Sequence, residues 1–358
     1  MNLVPVNQWY VIALTDEITE HPLARTVCGQ EIVCYRVRDG RAVALRDRCP
    51  HRRYPLSLGR LEGEYLVCGY HGFSFNCDGR CISVPGQDQI PPRSDVATYP
   101  VIEQGMWTWV WIGDESPGQR RPPATPWIEG DPHWAVVTGM APVDCRFGLL
   151  VDNLLDLSHE TYLHRANIGT PEVAATPVHT KIDREHNRVI LTRHMEGVEC
   201  PPFYANTTGL VSPIDRWQDI EYFAPSYYQL HVRIAAAGSV PDESGADRDA
   251  FHLKILYGLT PSTEDRTYDF WAVCRDFSID DDEVSATLDA MQQKIVVEDV
   301  VALNILERRI ALDSDGFEVI AGIDRGALAA RRMIAALTDS KDDSIFLIDE
   351  EGVVGRRQ

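Results

Sequence analysis

The chain has no uncharged apolar run approaching the roughly 20 residues that a membrane-spanning helix needs. Its start, MNLVPVNQWY, has neither a basic n-region nor an apolar h-region. These absences lead us to expect a cytoplasmic protein that does not enter a membrane. Positive charge is scarce: 34 Lys and Arg stand against 54 Asp and Glu, a formal net charge of -20, and no local basic stripe offsets it. Such a surface repels phosphate backbones, which argues against nucleic acid as a partner. No internal repeat or low-complexity tract occurs, and 44% hydrophobic with 25% charged content excludes disordered and fibrous classes. Cysteine is sparse and odd in number, nine in 358 residues, at 28, 34, 49, 68, 77, 81, 145, 200 and 274. Metal ligation explains some of these better than a disulfide framework does.

What is present divides in two. From Trp9 to about Gly113 short strand-like runs (EIVCYRV, RAVALRD, EYLVCGY, MWTWVWIGD) alternate with turn signals, the pattern of a small all-β domain. A segment rich in proline, glycine and charge, DESPGQRRPPATPWIEGDP, follows and reads as a linker, so the boundary is placed near 118. Residues 119–358 carry β-branched and aromatic runs (RVILTRHME, YYQLHVRIAAAG, FHLKILYGLTP, TYDFWAVCRDF) that suggest an antiparallel sheet. Helical segments are expected at 146–165, 283–312 and 325–337, which makes the second domain α+β. The acid-rich stretch 242–249 reads as a solvated loop.

Two short loops hold the first cluster of soft ligands, Cys49-Pro-His51 and Cys68-Gly-Tyr-His71. Each loop can present a thiol and an imidazole to one place, a metal-binding arrangement that tetrahedral zinc would also accept. Cys77 and Cys81 flank an Asp-Gly turn and are given no role, since free cysteines are commonly small buried hydrophobes.

The densest polar constellation lies in VDNLLDLSHETYLHRAN, with Asp152, Asn153, Asp156, His159 and His164. In a regular helix, residues five apart sit about 140° from each other, so these histidines would not face one metal. A bulged or broken helix is therefore expected here. Two histidines call for a carboxylate to complete a facial triad that leaves positions open for oxygen and substrate. On a helical wheel over 295–310, Ile295, Ala302, Leu303, Leu306 and Ile310 form an apolar stripe with Asp299 in its middle, Glu298 to the side and Lys294, Asn304 and Arg308 opposite. A carboxylate at the centre of a buried face is costly unless paired or metal-bound, so Asp299 is the expected third ligand.

The motifs WYVIA, CPHR, CGYHG, DNLLDLSHETYLH, PIDRW, FAPS and VVED, in this order, resemble the oxygenase components of Rieske non-haem iron monooxygenases of the vanillate O-demethylase type. The resemblance implies a [2Fe-2S] cluster with Cys49 and Cys68 on one iron and His51 and His71 on the other. Gly69 and Gly72 would then let backbone amides approach the cluster sulfurs. It also implies His159, His164 and Asp299 around Fe(II), Asn153 beside that iron, and Asp156 as a carboxylate bridging the two metal sites. On the same grounds a helix-grip catalytic domain, a homotrimer and a flavin and iron-sulfur reductase drawing on NAD(P)H are expected. The implied reaction is O2-dependent O-demethylation of a methoxylated aromatic acid in aromatic compound catabolism, giving a phenol and formaldehyde. The alternative is hydroxylation of another aromatic acid or an aryl sulfonate; a zinc-stabilised binding module and an electron carrier are the non-enzymatic alternatives. Arg193, Arg216, His231, Arg233 and His252 lie on strand-like segments that could meet the substrate, and no role is assigned to the C-terminal DDSIFLIDEEGVVGRRQ.

Overall fold

In the computed structural model, residues 4–241, 247, 249–313, 316–338, 347–348 and 354–355 are described, and the chain divides into two units. Residues 242–246 and 248 of the expected solvated loop, and all but four residues of the C-terminal stretch, lie outside the described residues.

The first unit comprises Val6–Thr125 with Thr260–Thr263. Its strands are β1 (Gln8–Leu14), β2 (Leu23–Val27), β3 (Gln30–Arg36), β4 (Ala42–Arg46), β5 (Arg60–Glu62), β6 (Tyr65–Val67), β7 (Ser74–Phe75), β8 (Cys81–Ser83), β9 (Thr98–Tyr99), β10 (Val101–Gln104) and β11 (Trp107–Ile112). They form three antiparallel sheets, β1-β11-β10, β2-β3-β4-β9 and β5-β6-β7-β8. Strand β11 reads WTWVWI and is buried throughout, so it pairs on both edges and packs on both faces. Residues 119–125, read as linker, pack on this unit. Trp9 Nε1 donates to the Arg120 carbonyl at 3.1 Å, the Arg120 guanidinium lies 4.4 Å over the Trp111 ring, and Gln104 Nε2 donates to the Pro123 carbonyl at 2.7 Å. The unit thus runs on to Thr125 because polar side chains of its own strands bind that segment.

The second unit is built on a seven-stranded antiparallel sheet. In chain order its elements are β12 (Ala135–Val143), α1 (Phe147–Leu155), α2 (Pro171–Ala175), β13 (His179–Asp183), β14 (Arg188–Val198), α3 (Pro202–Thr208), β15 (Ile214–Phe223), β16 (Tyr227–Ala236), β17 (Ala250–Thr263), β18 (Arg266–Arg275), α4 (Asp282–Leu312) and α5 (Arg325–Leu337). The sheet order is β12-β18-β17-β16-β15-β14-β13. Alternation in β14 points Val189, Leu191, Arg193 and Met195 inward, onto a core that α1, α4 and α5 complete. With helices wrapped on an antiparallel sheet, the unit has the helix-grip form. None of the described helices is long and apolar enough to cross a membrane.

Helix α4 departs from the expected stripe in one respect. Leu288, Met291, Ile295 and Leu303 are buried around Asp299, but Leu306 is 48% exposed. The helix end is held instead by polar contacts, with Asn304 Oδ1 accepting from the Asp144 amide at 2.9 Å and Glu307 pairing with Arg146 at 2.6 Å.

Candidate metal centres

The two Cys-His loops share one backbone design. Cys49 N donates to Tyr54 O and Arg53 N returns to Cys49 O, at 2.9 and 2.8 Å. Cys68 N donates to Phe73 O and Gly72 N returns to Cys68 O, at 2.8 and 3.0 Å. The fifth residue of each loop is left-handed, Arg53 with φ 59° and Gly72 with φ 75°, a conformation glycine adopts without penalty. Gly69 has a packing reason of its own: a Cβ there would stand 2.6 Å from the Leu58 carbonyl. Both thiols are buried, whereas His51 and His71 are exposed with ring centroids 4.5 Å apart. Phe73 stacks on His51 at 4.9 Å and fixes its plane. Burial pushes the Cys49 thiol up to about 11, with the neighbouring Cys68 adding to the rise; bound metal reverses that by favouring the thiolate.

Thiols inside and imidazoles outside suit two irons better than one zinc. Ligands of a single tetrahedral zinc converge, with bonds of about 2.0–2.3 Å. Among the described residues, the one group of three or more such donors whose atoms all lie within 4.8 Å of one another is His159, His164 and Asp299. All nine cysteines are free; Cys77 and Cys81 donate to the carbonyls of Glu64 and Ser83, each at 3.7 Å.

At the second centre the expected break is present. Helix α1 ends at Leu155, Asp156 is extended (φ -126°, ψ 92°), and a 3-10 turn spans Leu157–Thr161. One further turn, with His164 N donating to Glu160 O at 3.2 Å, brings the second histidine around. The two rings meet edge to face at 5.1 Å. Asp299 Oδ1 lies 3.6 Å from His159 Nε2 and 3.2 Å from His164 Nε2.

Both outer ring nitrogens are anchored. His159 Nδ1 lies 2.5 Å from the Asp156 carbonyl and His164 Nδ1 2.6 Å from Glu298 Oε2. In the neutral rings, donation there leaves each Nε2 as a bare acceptor pointing at Asp299, a position that a metal cation takes in place of a proton. His164 Nε2 is buried with no hydrogen-bond partner, as is Asn153 Oδ1, while Asn153 Nδ2 donates to Asp299 Oδ1 at 3.1 Å. Burial disfavours charge on His164, yet the Asp299 and Glu298 carboxylates outweigh it and hold the imidazole at about 8. A local field that favours a cation, three converging donors and an orphaned nitrogen fit a divalent metal.

Sequence reading placed Asp156 as a carboxylate partner of His159. In the structure its backbone carbonyl faces that ring, and the carboxylate caps the turn through Ser158 N at 2.9 Å. The break after α1 turns one carboxylate oxygen to the Ser158 amide and leaves the backbone carbonyl facing the ring. Several supporting contacts were not foreseen. Glu298, set aside on the wheel, anchors His164 and also accepts from Asn167 at 3.0 Å. Asp152 pairs with Arg331 of α5, and Asp269 is buried with its carboxyl raised well above the usual range, first by burial and then by Asp299. The five basic residues on strand-like segments that could meet the substrate separate by strand alternation. Arg193 and Arg216 face the helices, whereas His231, Arg233 and His252 share the other face, where Arg233 pairs with Asp247.

Two family models match this chain. The Rieske [2Fe-2S] domain model matches residues 8–100, and the vanillate O-demethylase oxygenase C-terminal domain model matches residues 143–340. The vanillate O-demethylase oxygenase subunit of Pseudomonas sp. (strain HR199 / DSM 7063) is 34% identical over 96% of this chain and 97% of its own length. The dicamba O-demethylase oxygenase component of Stenotrophomonas maltophilia is 34% identical over 92% and 97%. The crystal structure of dicamba monooxygenase bound to 3,6-dichlorosalicylic acid superposes with a TM-score of 0.85 at 32% identity, covering 93% of this chain and 97% of that one.

Proposed function

Because this chain belongs to the vanillate O-demethylase family of Rieske non-haem iron oxygenase subunits, we propose that it demethylates a methoxylated aromatic acid of the vanillate kind. In this reading the N-terminal part, read from the sequence as residues 1–118 and running on to Thr125 in the structure, carries electrons on the [2Fe-2S] cluster, held by Cys49, Cys68, His51 and His71, and the remainder carries the chemistry. The observation that carries the reading is the convergence of His159, His164 and Asp299, with both Nε2 atoms bare, inside a unit that carries no other such convergence among the described residues.

A bound Fe(II) would supply open coordination positions at which O2 is reduced next to the substrate. The chain's own residues prepare that place. Asp156 and Glu298 hold the two imidazoles in one tautomer, Asn153 fixes the Asp299 carboxylate, and the packed leucines of α1 exclude bulk water. The overall change consumes one O2, two electrons and two protons. An aryl methyl ether becomes a hemiacetal, which collapses to the phenol and formaldehyde, and the second oxygen atom leaves as water.

Two relatives are named as an oxygenase subunit or component of a larger system, which supports a separate flavin and iron-sulfur reductase fed by NAD(P)H and hence a cytoplasmic setting. A homotrimer, with the cluster of one subunit serving the iron of its neighbour, and Asp156 as the residue between the two centres complete the proposal. Turnover with a reductase and a panel of vanillate, syringate, methoxybenzoates and aryl sulfonates tests it. Phenol and formaldehyde in equal amounts from a methoxylated acid are expected; hydroxylated products that keep the methoxy group would replace demethylation by hydroxylation.

A further inference from the structure

A buried polar cluster sits behind the loop that carries both histidines. Arg216 of β15 is 0% exposed, Glu160 4% and Gln218 1%. Arg216 Nη2 donates to Glu160 Oε2 at 2.7 Å and its Nη1 to the Ile168 carbonyl at 3.0 Å. Gln218 Nε2 donates to Glu160 Oε1 at 3.0 Å, and Arg193 Nη1 to Gln218 Oε1 at 3.3 Å. Glu160 follows His159 directly, and its carbonyl receives the amide of His164. Ile168 and Gly169 in turn donate to the His164 carbonyl, each at 3.0 Å. Where the loop closes, a Cβ on residue 169 would come within 1.8 Å of the Glu160 carbonyl, so only glycine fits.

One guanidinium therefore ties together both ends of the loop, the carboxylate beside His159 and the carbonyl just past His164. Burying two charges brings little net stability, since a well-packed apolar pair serves as well. What an arginine fork does supply is fixed geometry, two donors in one rigid plane. The ring anchors at Nδ1 set the histidine planes only if the backbone beneath them is held.

We propose that Arg216, acting through Glu160, is a positioning residue for the metal centre, setting the separation and aim of His159 and His164. The inference rests on reading those histidines and Asp299 as metal ligands. The test uses the full chain with its cluster loaded and oxidised, stripped of the mononuclear metal and retitrated with Co(II) well below the melting temperature. Affinity comes from chelator competition and geometry from the Co(II) EPR spectrum. The variant is Glu160→Ala/Arg216→Ala, which leaves neither charge alone. Parent protein is expected to bind Co(II) at a site that Asp299→Ala abolishes, and the double variant to bind about 10- to 100-fold more weakly, the usual cost of losing a ligand's support, with an altered EPR spectrum and an unchanged cluster. Affinity and EPR indistinguishable from the parent's would overturn this proposal alone. Co(II) uptake untouched by Asp299→Ala would overturn the metal-site reading and this proposal with it. If the double truncation does not fold, Arg216→Lys serves: it keeps the charge, cannot span both partners, and is expected to weaken Co(II) binding; parental affinity in that variant would refute the role.

Discussion

His164 faces two carboxylates, Glu298 2.6 Å from Nδ1 and Asp299 3.2 Å from Nε2, and their parts in the site differ. Asp299→Ala removes a donor and is expected to lose the mononuclear iron while leaving the cluster spectrum intact; iron analysis with a visible spectrum checks both halves. Glu298→Ala removes the His164 anchor and the Asn167 bond but no donor of the triad, so iron should still bind, about 10- to 100-fold more weakly, as chelator competition would show. Asp156 needs a gentler substitution. Its carboxylate caps the 3-10 turn, a role whose loss to alanine costs about 1 kcal/mol and which asparagine can keep. Asp156→Asn should retain both metals yet fail to pass electrons from the reduced cluster. Rapid mixing with O2 and substrate decides it, and reoxidation at the parent rate would remove Asp156 from the path. At this scale the three converging side chains were legible because their chemistry is odd where they stand, two histidines among leucines and a carboxylate in an apolar stripe. Glu160 and Glu298 were not, since what explains each is a distant partner: Arg216, 56 positions along the chain from Glu160, and His164, 134 positions from Glu298.

Among the elements, the break after α1 does the most for the site, because a continuous helix would splay the histidines. It was legible from spacing alone. Strands with clean alternation, such as β14, and runs with β-branched and aromatic content, such as β16 and β18, could also be read. Strand β15 was harder. Its inward positions include Arg216 and Gln218 beside Ile214 and Ile220, so polar residues fall on both faces and the period-two signal fades. Strand β12 hid for a different reason, carrying Gly139 and Pro142 in its run. The glycine is required: it pairs with Trp271, and a Cβ there would stand 2.4 Å from the indole. Gly139→Val is therefore expected to destabilise the second unit by about 1–3 kcal/mol, seen as a lower denaturant midpoint, with the cluster bands of the first unit persisting. A midpoint equal to the parent's would mean that Trp271 has room to move.

For the whole molecule, one chain carries two kinds of centre with opposite exposure. The cluster loops turn their imidazoles outward, whereas in the triad His164 is buried and His159 and Asp299 are half-buried. The boundary was only approximately legible, because residues 119–125 have a linker's composition and are ordered by side chains from strands far back in the chain. If both centres coexist in each chain, the metal stoichiometry of the purified protein shows it. Purified, reconstituted protein is predicted to be red-brown with about three irons and two acid-labile sulfides per chain, and Asp299→Ala to hold about two irons with the same sulfide. A colourless protein holding zinc, or one whose iron content is the same with and without Asp299, would contradict it.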